Sequence, residues 1–175
     1  GTPPARQSSR LLQAVSVAGQ PLSRSTAVAV SAIGTHADRI IGLLRSEHLI
    51  KVRTPGYDEL LEPYHDRIRL SVLDTISDEL AHLLHHEIGV HLETHQRVEP
   101  ESLVDHFLDA GDYDRALQYA TESARRAQDK LAFDRAAVLY EQALELHQDS
   151  VTIPASIDAL DEQRELLRSL AAALA

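Results

Sequence analysis

The stretch Ile50-Lys51-Val52-Arg53, followed by Thr54-Pro55-Gly56, decides how the first part of this chain folds. Its apolar residues are β-branched and alternate with cations, which is the pattern of a half-buried strand. Thr54-Pro55-Gly56 is a turn signal. Residues 60–64 can return as a partner strand, in which Pro63 is tolerable only at a sheet edge. The stretch therefore predicts a β-hairpin over residues 50–64.

Helical patterns lie on both sides of this hairpin. Apolar residues recur at helical spacing in three segments before it and one after it: residues 8–18, 26–33 and 35–49, with Ser23 and Thr35 as caps, and the stretch that begins at Asp66. Residues 1–7 are expected to form a disordered or arm-like lead. Three helices, a two-stranded wing and a closing helix predict a winged-helix domain over residues 1–76.

Residues 77–175 carry helical patterns alone. A helix starting at Ser77 is followed by predicted helices over residues 100–110, 113–130, 133–147 and 157–174. Tyr113-Asp114-Arg115-Ala116 returns as Phe133-Asp134-Arg135-Ala136, and small alanines recur where helices would cross. This echo predicts an antiparallel solenoid of tetratricopeptide (TPR)-like repeats, with an unrelated helical bundle as the alternative. Contacts between helices are expected at Tyr113, Tyr119, Phe133 and Tyr140.

The predicted fold class is thus all-α with a small β-hairpin wing, and composition narrows the function. The chain has no cysteine, which excludes disulfide and thiol chemistry. It has no methionine either, so we expect it to be a segment of a longer polypeptide. No apolar run has the length of a membrane span. Residues 1–76 have a net charge of +2 and residues 77–175 a net charge of −12, which makes nucleic acid an unfavourable partner.

Three motifs resemble one protein family, the bacterial STAND-type signalling ATPases. They are Leu11-Leu12-Gln13-Ala14-Val15-Ser16-Val17-Ala18-Gly19 with Pro21-Leu22, then Glu62-Pro63-Tyr64-His65-Asp66-Arg67-Ile68-Arg69, and the repeat signals at residues 110–116, 132–137 and 140–144. In that family the matching segment follows a nucleotide-binding core, which is joined to a serine/threonine protein kinase domain, a LuxR-type regulator or a nucleotide cyclase.

The resemblance implies a regulatory segment of a cytoplasmic signal-transduction protein. The chain has no phosphate-binding loop and no protein-kinase motifs, so we expect it to be non-catalytic and to hold no cofactor of its own. ATP or ADP would bind the parent protein. The expected partners are an upstream ATPase domain of the same chain, restrained by the winged helix, and an unidentified protein or small ligand on the repeats.

His65 is the candidate binding residue. It falls between a strand end and a helix start, where backbone amides and the helix dipole favour an anion. The resemblance implies that this histidine contacts the nucleotide's phosphates in the full-length protein and holds the resting state, while Asp66 and Arg67 cap and orient the element. The alternative is a helix-capping histidine packed under the wing.

Five histidines lie between residues 82 and 95: His82, His85, His86, His91 and His95. The pairs 82/86 and 91/95 have the helical spacing of a metal chelate. The His-Glu-x-x-His pattern fails, however, because His91 follows His86 by five residues. We therefore predict surface histidines without a metal, with a response to acidic pH as a second role.

The alternative function is a DNA-binding winged-helix transcription regulator with a helical dimerisation or ligand domain. Its recognition helix would run from His36 to His48. That helix offers Arg39 and Arg45, which Asp38 and Glu47 oppose, whereas a recognition helix presents several cations and amides to the major groove. Charge therefore favours the regulatory segment.

Overall fold

The structure, a computed structural model, describes residues 4–56, 58–95, 98–150 and 157–174. These residues are mostly helical and include one small antiparallel sheet. The chain forms two compact units, Gly1–Gln96 and Arg97–Ala175. None of the helices described combines the length and the apolar character that crossing a membrane requires.

The first unit contains five helices and three strands among its described residues. In chain order they are α1 Pro4–Val17, β1 Leu22–Ser23, α2 Arg24–Ser31, α3 Ala37–Ser46, β2 Ile50–Arg53, β3 Leu60–Pro63, α4 Asp66–Leu73 and α5 Asp78–His95. The helices and the hairpin expected from the periodicity are confirmed. The short strand β1 was not expected.

Local chemistry accounts for several of these boundaries. The Ser23 side chain accepts a hydrogen bond from the Thr26 amide at 3.2 Å and caps α2. The helix ends before Gly34, because Ala32 adopts the left-handed conformation that terminates it. Two predictions were wrong: residues 4–7 are helical rather than disordered, and α3 begins at Ala37 after a 3-10 turn instead of being capped by Thr35.

The sheet has the order β1-β3-β2, so Pro63 lies in the central strand rather than at an edge. The Tyr64 amide donates to the Leu49 carbonyl at 3.0 Å, and Pro63 is paired with Ile50. In an antiparallel ladder, residue pairs that exchange backbone hydrogen bonds alternate with pairs that do not. Leu49 and Tyr64 are hydrogen-bonded, so Ile50 and Pro63 form a non-bonded pair and the Pro63 nitrogen faces away from β2. On that side β1 pairs only with Leu60 and Leu61. Pro63 is tolerated because the ladder has already ended beside it.

The core of the first unit extends over both sides of the predicted domain boundary. Leu11, Ile50 and Leu61 are fully buried, as is Ile88 of α5. Helix α5 packs on α1 and α2 through the stripe of Leu84, Ile88 and Leu92. The compact unit therefore includes the helix that follows residue 76, where the sequence predicted a boundary.

The second unit contains α6 Glu101–Asp109, α7 Tyr113–Asp129, α8 Phe133–Ser150 and α9 Ile157–Leu174. Each helix packs against the next one in the chain. Asp112 caps α7 by accepting from the Arg115 amide at 3.3 Å. Gly111 before it has φ +74°, so the short α6–α7 connector uses a backbone conformation that favours glycine.

The sequence repeat of residues 113–116 at residues 133–136 is matched by a repeat in side-chain burial. Tyr113 is 45% exposed and its counterpart Phe133 is 44% exposed, while Ala116 and Ala136 are both fully buried. The same shift of twenty residues relates other buried pairs: Leu117 with Ala137, Ala120 with Tyr140, Ser123 with Ala143 and Ala124 with Leu144. Helices α7 and α8 therefore bury equivalent faces.

The aromatic contacts in the structure differ in part from those that the sequence predicted for this unit. Tyr140 is buried, and its hydroxyl donates to Gln128 at 3.1 Å, which confirms a contact between α7 and α8. Tyr119 stacks on Phe107 with 5.6 Å between ring centroids. Phe107 is fully buried, whereas Phe133 is not, so the large aromatic anchor of this unit lies on α6.

Candidate functional site

His65 lies where β3 gives way to α4, as the sequence predicted. Its backbone is extended, with φ −138° and ψ 151°, and it occupies the N-cap position of α4. The imidazole makes no capping hydrogen bond; the His65 carbonyl instead accepts from the Ile68 amide at 3.0 Å. The side chain is exposed. Helix capping by the imidazole, the alternative role, is therefore not seen.

Aromatic contacts orient the His65 ring. The ring meets Tyr64 edge-on, with 4.8 Å between centroids and an interplanar angle of 89°. Tyr64 in turn meets His48 edge-on at 5.2 Å. Such edge-to-face pairs contribute about 0.5–1.5 kcal/mol beyond area burial for aromatic rings. The Tyr64 ring therefore contacts the imidazole, while the His65 side chain stays exposed.

A cavity of about 310 Å³ lies at this junction. His65 lines it together with Lys51 of β2, Arg69 of α4 and the turn Gly19-Gln20-Pro21. Glu62 and Asp66 add carboxylates to the same wall. The sheet and the start of α4 therefore bring three basic side chains to one concave surface, which the turn after α1 helps to form.

The carboxylates at the cavity lie beside cations. Glu62 Oε1 is 2.6 Å from Arg53 Nε and 3.6 Å from Lys51 Nζ, but it is buried and has no partner of hydrogen-bond geometry among the described residues. Asp66 Oδ1 is 3.7 Å from Arg69 Nη1. Arg69 Nε is buried and has no hydrogen-bond partner among the described residues. An anion at this cavity would therefore meet three basic side chains together with the carboxylates of Glu62 and Asp66.

Arg69, which the sequence analysis did not propose as a site residue, lines the cavity together with His65. Arg67 is exposed, and it is not among the residues that line the cavity. Asp66 does lie in the first turn of α4, where an acid stabilises the helix. Helical spacing could have identified Arg69, because residues three apart, such as Asp66 and Arg69, share a face.

Cations near α3 are held by acids. Arg24 donates from Nη2 to Asp38 at 2.5 Å and from Nη1 to Glu59 at 2.6 Å. These bonds, first to Glu59 and then to Asp38, raise the pKa of Arg24. Arg39 and Arg45 are exposed on α3, but Asp38 and Glu47 lie beside them in the chain. The surface that would face a DNA groove therefore carries mixed charge.

The histidines of α5 differ from one another. His82 and His86 are exposed, while His91 is half-buried and stacks on His95 with 4.5 Å between centroids. Burial, and then the neighbouring His95, lower the pKa of His91. The predicted solvated histidine face is therefore interrupted, because His85 and His91 are both half-buried. Within the described residues, no three His, Cys, Asp or Glu side chains form a metal-binding group.

In comparisons with known proteins, no protein-family model, no curated protein and no solved structure matches this chain. The candidate site therefore depends on its own geometry. That geometry is an exposed, oriented imidazole beside two cations at a strand-to-helix junction, which is an arrangement suited to an anionic group.

Proposed function

We propose that this chain is a non-catalytic regulatory segment of a multidomain bacterial signalling protein with a STAND-type ATPase. In this proposal the first unit is a winged-helix module that restrains an ATPase core elsewhere in the same polypeptide. The second unit is a TPR-like helical array that binds a protein or small-ligand partner. The ATPase would be joined to a serine/threonine kinase or a LuxR-type regulator.

The element order supports the winged-helix assignment. A helix, a short strand and two further helices precede the β2–β3 hairpin, and β1 pairs with β3 to complete a three-stranded sheet. The equivalent burial of α7 and α8 supports the repeat assignment, because stacked repeats place the same positions in the same environment.

The observation that carries the proposal is the exposed imidazole of His65 at the β3–α4 junction, beside Lys51 and Arg69. An imidazole can donate a hydrogen bond to a phosphate oxygen. A charge-assisted contact of this kind contributes about 1.5–3 kcal/mol. If the contact exists only in the resting state, its loss shifts the resting–active balance by roughly ten- to a hundred-fold.

DNA binding remains the competing function, and the charges oppose it. Arg24 is held by Asp38 and Glu59, and Arg53 by Glu62. DNA affinity requires cations that displace counterions from phosphates, and it falls steeply with salt. Strong, salt-dependent binding of duplex DNA to this chain would favour the transcription-regulator alternative and contradict the proposal.

The decisive test is His65→Ala in the full-length protein. We expect faster ADP release and higher basal signalling, with an unchanged melting temperature. His82→Ala is the matched control, since His82 is exposed on α5 away from the junction. An unchanged release rate beside a lower melting temperature would leave His65 with a structural role alone.

The isolated chain provides a second test. Because it has no phosphate-binding loop, it should neither hydrolyse ATP nor bind it with micromolar affinity. Isothermal titration calorimetry measures this directly. Micromolar ATP binding by the isolated chain would contradict the assignment of nucleotide binding to another domain.

A further inference from the structure

A groove separate from the cavity at the β3–α4 junction runs along one face of α5. Beside α1 its volume is about 430 Å³, and three leucines of α5 form one wall: Leu80, Leu83 and Leu84. Beside α2 a second hollow of about 330 Å³ reaches as far as His95. Arg10 and Glu87 line both hollows, so the two join along α5. Helix α5 rises about 22 Å between residues 80 and 95, so the groove is long enough for a helix of about four turns.

The α5 wall of this groove is apolar and accessible. Leu83 is 52% exposed, and Leu80 and Val90 are half-buried. These three residues share one face of the helix, because they are three and seven residues apart. Exposed Ala29 of α2 extends the apolar lining. The wall can therefore receive apolar side chains from successive turns of a helix laid along it.

The α1 wall of the groove is cationic. Arg6 and Arg10 line it, and both side chains are exposed. They are four residues apart on the helix, a spacing at which like charges repel. Arg6 also lies in the first turn of α1, which has no acid, and a cation is unfavourable at that end of the helix dipole. None of the ion pairs among the described residues includes either arginine. Carboxylates from outside the chain would relieve both unfavourable placements.

We propose that this groove binds an acidic amphipathic helix of a partner protein. The apolar face of that helix packs on Leu83 and its neighbours along α5, and carboxylates along one flank meet Arg6 and Arg10. Within the described residues Glu87 is the one carboxylate that lines the groove, and it belongs to α5, so the acidic flank lies against α1. The first unit thus has a docking surface of its own, independent of any nucleotide, of His65 and of the repeats.

The experiment titrates the whole chain into two labelled peptides of about 15 residues, the length of the groove. Both peptides carry leucines at helical spacing, and their remaining residues are glutamates in one and lysines in the other. We expect fluorescence anisotropy to show tighter binding of the glutamate peptide, weakened by salt, and NMR to show amide shifts at residues 80–90. Arg6→Gln together with Arg10→Gln should weaken that binding about two- to thirtyfold. Leu83→Ser should weaken it about three- to tenfold.

Two control variants make the result decisive. Arg39→Gln together with Arg45→Gln removes two exposed cations from α3, outside the groove, and should leave peptide binding unchanged. His65→Ala should also leave it unchanged, so this test is separate from that of the nucleotide contact. Equal binding of the two peptides, or no binding of the glutamate peptide at millimolar concentration, would overturn the proposal. A dimer of the chain that Leu83→Ser dissociates would assign the groove to a second copy and overturn it as well.

Discussion

The two compact units bury different kinds of side chain. Large branched residues fill the first unit, where Leu11, Ile33, Ile50 and Leu61 are at most 1% exposed. The second unit buries alanines along α7 and α8, and Phe107 is its one fully buried aromatic among the described residues. One core is filled by bulky groups, and the other is made by helices that approach closely.

This difference predicts different responses to substitution. A core of bulky side chains is sensitive to truncation, because removal of methyl groups leaves a cavity. A core of alanines is sensitive to enlargement, because added atoms separate the helices. The second unit should therefore be sensitive to enlargement at its buried alanines, and sensitive to truncation at Phe107 and its other large buried residues.

The largest effect is expected for Phe107→Ala. Phe107 is fully buried and stacks on Tyr119, and the centroid of its ring lies 5.1 Å from the Arg115 guanidinium carbon. Its truncation should cost the second unit about 3–5 kcal/mol, measured by urea unfolding with amide exchange to locate the unit that opens. Phe133→Ala, at a half-exposed position, should cost about 1 kcal/mol or less. Equal costs would contradict the placement of the aromatic anchor on α6.

Enlargement of a buried alanine comes next. Ala120→Leu introduces three carbons where α7 packs on its neighbours, and Ala120 is fully buried. We expect a loss of about 1–3 kcal/mol, again from urea unfolding. The same change at Ala132, an exposed connector residue, should stay within about 0.5 kcal/mol. A neutral Ala120→Leu would mean that these helices do not pack closely.

The helix caps give a smaller contrast between the units. Asp112→Ala removes the acceptor for the Arg115 amide and should cost about 0.5–2 kcal/mol. His65→Ala, also at an N-cap position, should cost little, because the imidazole makes no capping bond. Thermal melts of both variants, with Asp112→Asn as the conservative control, measure the difference. A large loss for His65→Ala would show that the ring supports the fold.

The smallest effect is the pH dependence that His91 gives the first unit. The pKa of His91 is lowered from its ordinary value of 6.5 by burial and by His95. As the pH falls below 6.5, the unfolded chain binds a proton that the folded chain does not, so stability decreases until the pH passes the folded pKa. His91→Gln should flatten this slope in urea unfolding followed by NMR. An unchanged slope would place the effect elsewhere.

The sequence predicted most of the local structure but not the long-range pairing. Strand β2 and the turn after it are visible because apolar and polar residues alternate there. Strand β1 has two residues, Leu22 and Ser23, which is too short for any periodicity. Strand β1 forms because the edge of β3 that faces away from β2 can accept a further strand, and that edge is created only by the tertiary fold. For the same reason the sequence did not show how Pro63 is accommodated.

The candidate site was predicted in part. His65 was identified because it lies where a strand pattern ends and a helix pattern begins, and this position can be recognised from the local sequence alone. The cations that accompany it come from different elements: Lys51 from β2 and Arg69 from α4. Their meeting depends on the packing of the sheet against the helix. Half-burial of His91 was missed because its neighbour Leu92, and not His91, belongs to the apolar stripe of α5.

Strand β1 also has a consequence for synthesis on the ribosome. Leu22 finds its partner Leu61 only after the intervening chain has emerged, so the sheet cannot be completed earlier. Helices α7 and α8, joined by a short connector, can pair as soon as both have been made. Contacts between residues distant in sequence slow folding, and local helical contacts speed it. A nascent chain therefore exposes the apolar residues of α1 until the hairpin arrives, which is the interval when a chaperone would protect it.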